Sequence, residues 1–220
     1  MSSLKISGEK FYKTLDEVHR HAGKVKSLPA LRGVCFSMYE DRVVMEATDR
    51  FTYLAGQVKP GDKQDLRVSF AGKPELRLLV PSDLVKVVMS TCRGLGINGR
   101  GAEIVMKVDG DWVEVFKSGD GGHPAFVLVP SYLDFPNAQN LIPTDYKAGE
   151  YTAMTGEGVQ GRKNLRYCIR HGMDGETDLS TRPQLITQAT KLNRVLTLTG
   201  CAMPVRVDVN GHDYPELEQA

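Results

Sequence analysis

No stretch of this 220-residue chain is apolar for long enough to cross a membrane, and Met1–Lys10 lacks the apolar core of a secretion signal. A cytoplasmic protein is the expectation. Cysteine is scarce: Cys35, Cys92, Cys168 and Cys201 lie far apart, and none forms a CxxC pair. That spacing argues against a zinc site or a disulfide framework. Cys35, in an apolar run, and Cys92, in a helical one, read as reduced core thiols. An excess of either charge is missing too. With 28 Lys and Arg against 27 Asp and Glu, the net charge is +1, so contact with nucleic acid must come from local clustering. Catalytic signatures are also lacking, with no G-x-S-x-G and no H-E-x-x-H. Gly94–Gly101 (GLGINGRG) has the glycines of a phosphate loop but follows a helical stretch instead of a strand. His19 and His21 stand two apart on a helix and cannot face one metal together. Asp109 and Asp111 flank a turn, where a structural role outweighs acid–base work. No catalytic residue, metal or cofactor is expected.

What is present is ordinary globular composition, 41% hydrophobic and 25% charged, enough for a core of one or two domains. Gly33–Met38 and Arg42–Ala47 are apolar runs separated by Glu40-Asp41, which predicts a β-hairpin. In the second run Val43, Met45 and Ala47 fall on one face, Val44 and Glu46 on the other. Thr48-Asp49 breaks the pattern before a third run through Phe51, Tyr53 and Leu54, and such side chains suit a corner. Gly8–Lys26 predicts an amphipathic helix, with Phe11, Leu15, Val18, Ala22 and Val25 as its apolar stripe. Strands are predicted at Leu66–Phe70 and Leu76–Val80, then a helix from about Pro81, capped by Ser82 or Asp83 and running to Arg93. Ala102–Val108 and Asp111–Lys117 form a second hairpin turning at Asp109-Gly110. A strand follows at Pro124–Val129. Strand, helix and several strands thus occur twice. Beyond Pro143 the periodicity weakens. Lys147–Gly161 reads as loop, Leu165–Arg170 as a strand, and Arg182–Arg194 as a third helix on Leu185, Ala189 and Leu192. Arg194–Thr199 and Val205–Val209 read as strands, and Gly211–Ala220 as an acidic tail.

Three passages carry a family resemblance. LPALRGV at Leu28–Val34 with ATDRFTYLA at Ala47–Ala55, LVPSDL at Leu79–Leu84, and YLDFPNAQNLIP at Tyr132–Pro143 together resemble the bacterial sliding clamp, the β subunit of DNA polymerase III. The likeness is closest to the middle domain of actinobacterial clamps and covers residues 4–145. It implies an α+β DNA-clamp fold, with helices on one face and antiparallel sheets on the other. Residues 1–145 would be one duplicated clamp domain. Residues 146–220 resemble only the second half of another, and are short for a complete one.

The resemblance also implies sites. A ring around duplex DNA needs positive charge on its lining, held to phosphates without reading bases. The helices offer Lys10, Lys13, Arg20 and Lys24; Lys86 and Arg93; and Arg182, Lys191 and Arg194. The plainer alternative is that these residues only solvate helix faces. Arg162, Lys163, Arg166, Arg170 and His171 form a further basic cluster outside the helices. A groove for a short peptide from polymerases and other partners would have Leu31, Thr48, Arg50, Phe51, Tyr53 and Pro143 on its wall. The family's "TDxxRL" is altered, with Thr52 for Arg and Tyr53 for Leu, which implies a bulkier, aromatic pocket in which Phe51 and Tyr53 are partly exposed. Met203-Pro204-Val205-Arg206 is similar to the family's "MPxRL" but comes early, and is read as a strand in preference to part of the groove.

The expected function is that of a reduced sliding clamp: a processivity factor without chemistry of its own that encircles double-stranded DNA and engages a polymerase and clamp loader. Divergence and small size suggest a phage of an actinobacterial host. A chain with fewer domains than a ring needs must self-associate, most simply as a homo-trimer through sheet edges. One alternative is a clamp-derived interaction module that binds clamp partners without encircling DNA. A second, a ligand-binding protein or enzyme with a clamp-like sheet, requires a pocket with convergent polar groups.

Overall fold

The computed structural model describes residues 3–50, 52–61, 68–120, 122–137, 152–154, 167–169, 184–188 and 196–202. Among the described residues two α-helices and two antiparallel sheets make an α+β fold. The first unit runs β1 (Ser3–Ser7), α1 (Gly8–His19), β2 (Gly33–Met38), β3 (Val43–Thr48) and β4 (Thr52–Val58). The second repeats it as β5 (Leu76–Pro81), α2 (Ser82–Gly94), β6 (Glu103–Asp109), β7 (Trp112–Lys117) and β8 (Phe126–Leu128). The units exchange their first strands, since β1 pairs with β6 and β5 with β2. Registers match between them: Cys35 faces Glu46 as Val105 faces Phe116, and Val44 faces Gln57 as Glu114 faces Val127. The sheets are β1-β6-β7-β8 and β5-β2-β3-β4. The latter continues through β12 (Thr197–Ala202), β11 (Gln184–Gln188), β10 (Tyr167–Ile169) and β9 (Thr152–Met154).

One core joins the inner faces of both sheets to both helices. Phe11, Leu15 and Val18 of α1 and Val85, Val88 and Cys92 of α2 meet Val34, Phe36, Met45, Leu54, Ile104, Met106 and Val115. Each large side chain fully buried there contributes about 1.5–3 kcal/mol of transfer free energy. The two helices pack against one another. Gly56 lets α1 come close to β4: a Cβ there would stand 2.3 Å from Thr14 Cγ2.

Several boundaries differ from the sequence expectation, each for a local reason. α1 is capped by Ser7, whose side chain accepts from Lys10 N at 3.3 Å, and ends at His19 instead of Lys26. The chain turns there so that Gly23 N can donate to Leu31 O, returning it to β2. Val25, assigned to the apolar stripe, is therefore exposed. At α2 neither Ser82 nor Asp83 is the cap. Pro81 holds that position as the end of β5, and Ser82 N donates to Arg32 O. The second hairpin turns at Gly110-Asp111, one residue later than expected, because Asp109 pairs with Trp112 and Gly110 takes the positive φ of +57°. Residues 68–70 form no strand.

The largest correction concerns the third helix. Gln184–Gln188 is a strand, with Leu185 opposite Cys201 and Ile186 opposite both Gly200 and Ile169. Apolar spacing at Leu185, Ala189 and Leu192 suits a helix, but available strand partners on both sides outweigh so short a periodic signal. Leu165–Arg170 is a strand as expected, over Tyr167–Ile169. Val205–Val209 and Gly211–Ala220 lie outside the described residues.

Candidate functional site

The Thr48-Asp49 corner between β3 and β4 is closed by its own polar side chains. Thr48 Oγ1 donates to Thr52 O at 2.8 Å. Asp49 Oδ1 accepts from Thr52 N at 2.7 Å and from Thr52 Oγ1 at 2.8 Å. Buried His21 completes the arrangement, its Nδ1 3.0 Å from Thr52 Oγ1. Because that hydroxyl already gives its proton to Asp49, His21 Nδ1 is the donor. Arg50 sits at the turn's exposed tip with φ +85°, the one positive-φ residue other than glycine among the described residues. Leu31, half-buried, belongs to a 3-10 turn at Pro29–Leu31 and touches Gly23 two residues beyond His21. Thr48 is buried. Strand β12 ends at the same corner, Ala202 pairing with Thr52. Phe51, Pro143 and Met203-Pro204-Val205-Arg206 lie outside the described residues.

Tyr53 departs from expectation. It is 1% exposed and belongs to a second apolar layer on the outer face of the β5-β2-β3-β4 sheet, with Cys35, Val44, Ala55, Leu79 and Phe135. Its hydroxyl donates to Glu46 Oε1 at 2.8 Å, and Glu46 is itself fully buried. Arg77 approaches the other carboxylate oxygen at 3.8 Å and lies under the Phe135 ring at 5.7 Å. It also donates, at long range, to Phe135 O and Pro136 O. The alternation of β3 placed Glu46 on this face correctly. What it could not reveal is that Leu133 and Phe135 cross the sheet and cover that face. Tyr53 thus cannot be an exposed groove wall in this structure. Glu46, Arg77 and Phe135 are the site-supporting residues that sequence reasoning missed. FPNAQNLIP signalled Phe135, but nothing local linked it to Arg77.

The thiols behave as expected. Cys35 and Cys92 are free and buried, and burial pushes the pKa of each thiol well above its ordinary value, up to about 12.

Three of the six described cations assigned to the helices answer acids within four residues of them. Lys13 meets Glu9 at 2.6 Å, Arg20 meets Asp16 at 2.6 Å and Glu17 at 3.7 Å, and Lys86 meets Asp83 at 3.2 Å. Lys10 is half-buried, while Lys24 and Arg93 are exposed. On α2 the buried side is Val85, Val88 and Cys92, so Asp83, Val87, Ser90 and Gly94 point directly away from the core, with Lys86 and Arg93 to one flank. Leu84 and Val87 are exposed there at 46% and 59%. Burial, then the charge of Lys86, holds His19 below the usual imidazole range, so it adds little positive charge at neutral pH. A recess of about 420 Å³ at the start of α1 is lined by Lys5, Lys10 and Arg100, but also by Glu9 and Glu103. Arg182, Lys191 and Arg194 lie outside the described residues, as does the cluster around Arg162. The helix assigned to the first three is replaced by β11 in its first half.

No family model and no curated protein matches the sequence. The solved structures do. A DNA polymerase III β subunit from Thermotoga maritima aligns with TM-score 0.59 and 14% identity, over 94% of this chain and 66% of that one. A DNA polymerase sliding clamp from Pseudomonas aeruginosa aligns at 0.58 and 10%, over 93% and 66%, and one from Bacillus subtilis at 0.56 and 11%, over 94% and 64%. At such identity the likeness establishes the fold. The chain has the sliding-clamp fold and spans just under two thirds of the length of these relatives in shape.

Proposed function

We propose that this chain, built on the sliding-clamp fold, is a processivity protein that self-associates around duplex DNA and tethers a polymerase at the Thr48–Thr52 corner. It performs no chemistry itself. The observation carrying this reading is the continuation of one sheet across the chain, β4 pairing with β12 over six residues. The counterpart of β4 in the second unit is β8, at the end of its four-stranded sheet, with Val127 exposed. An edge of that kind suits strand addition by another copy. We assign residues 1–145 to one complete clamp domain and 146–220 to a shortened one, and propose a homo-trimer. Double-stranded DNA, a polymerase and a clamp loader are its partners.

A second reading, a clamp-derived module that binds clamp partners without enclosing DNA, is favoured by α2. Its outward side presents Asp83, Val87 and Ser90, where a lining would hold cations. Sedimentation combined with primer extension separates the two. The ring requires an oligomer and synthesis whose processivity declines steeply with salt as counterion release weakens. A monomer at high micromolar concentration with no effect on processivity leaves the module.

A further inference from the structure

We infer that the outer face of the β1-β6-β7-β8 sheet docks a partner's extended segment in which an acidic residue separates two apolar ones, the second aromatic. The internal repeat shows what such a face takes. On the outer face of β5-β2-β3-β4, two stretches outside any strand complete the apolar layer, Val68-Ser69-Phe70 and Leu133-Asp134-Phe135. Each is an apolar residue, a polar one and a phenylalanine. The matched registers put Val105 where the covered face has Cys35, and Phe116 where it has Glu46. Trp112 shares that side with Phe116, because Val113 and Val115 are buried on the other. Yet among the described residues this face is bare: Trp112, Val127 and Val129 are 42%, 40% and 51% exposed. Beside Phe116 lies a recess of about 400 Å³, lined also by Val105 and Lys107, with room for an aromatic side chain. Charge selects the residue between the anchors. Lys5 and Lys117 answer Glu103 and Asp120. Lys107 is exposed and has no carboxylate partner among the described residues, although Glu114 lies opposite it in register. Its ammonium stands instead 4.6 Å from the centre of the Phe116 ring, at the mouth of the recess, where a carboxylate next to an inserted aromatic would meet it. The face is distinct from the β8 edge offered to another copy, so neither proposal depends on the other.

The test uses the isotope-labelled full chain and the peptide Ser-Tyr-Leu-Asp-Phe-Pro-Asn, its own 131–137 segment supplied in trans, followed by backbone amide chemical shifts. Shifts along β6, β7 and β8 are expected, with an affinity of about 1 mM for so short a contact. A peptide with Asn for Asp should bind about threefold more weakly, as one exposed charge pair implies. Lys107→Glu should reverse the order, so that a peptide with Lys at that place binds better than the Asp peptide, which lost packing alone would not produce. Trp112→Ser should abolish binding and leave the other amide shifts in place. No shifts at several millimolar peptide, or shifts confined to β2–β5 as the peptide displaces the chain's own segment, overturn the docking face. Shifts of β6–β8 that follow protein concentration without peptide make a second copy the occupant, and overturn it equally. A Lys107→Glu chain that still prefers the Asp peptide overturns the acidic residue.

Discussion

Replacing Tyr53 decides whether the second apolar layer is a core or a binding surface. Tyr53→Ala removes a ring that is 1% exposed and packed among Cys35, Val44, Ala55 and Phe135. Truncating a buried aromatic costs about 3–5 kcal/mol. Glu46 Oε1 also loses its 2.8 Å donor inside the protein, which adds ~1–3 kcal/mol. Tyr53→Phe isolates the second part: the ring stays, the hydroxyl goes, and the loss should be ~1–3 kcal/mol. Against a total stability of about 5–15 kcal/mol, the Ala variant should be marginal and the Phe variant folded but weaker. Urea unfolding followed by circular dichroism reads both, with the midpoint falling and the slope m unchanged. An Ala variant that loses under ~1 kcal/mol at constant m would refute the burial, and return Tyr53 to the groove wall.

Other outcomes follow from the same packing. Gly56→Ala places a methyl 2.3 Å from Thr14 Cγ2, and should cost about 1–3 kcal/mol by thermal unfolding. Arg77→Ala frees Phe135 and Pro136 from their anchor, so amide exchange across residues 131–136 should accelerate while α1 is unchanged. The thiols of Cys35 and Cys92 are raised in the native state, so the stability they contribute is complete below the unfolded value of 9.0 and is lost as pH climbs towards about 12. Peptide mapping after iodoacetamide treatment at pH 8 should find neither residue alkylated until denaturant is added.

Local patterns in the sequence determined both helices and most of the strands described up to Leu128. The alternation of Val43, Met45 and Ala47 against Val44 and Glu46 set which side of β3 meets the helices, because a strand's period of two leaves no choice once one side is apolar. The stripe of Phe11, Leu15 and Val18 likewise oriented α1, and the words around Thr48-Asp49 indicated the fold later seen in the structural neighbours. Tertiary structure decided the rest. Gln184–Gln188 had a helical spacing too short to withstand strand partners on both sides. Tyr53 resembled a surface residue until Leu133 and Phe135, some eighty positions later, folded across it. The helix cations looked like a lining, yet Lys13, Arg20 and Lys86 meet acids on their own helices, and α2 turns Val87 outward instead of a cation. The corner itself was written in the chain as Thr, Asp and Thr. The left-handed backbone of Arg50 and the arrival of β12 beside it arise from long-range pairing, which no local pattern encodes.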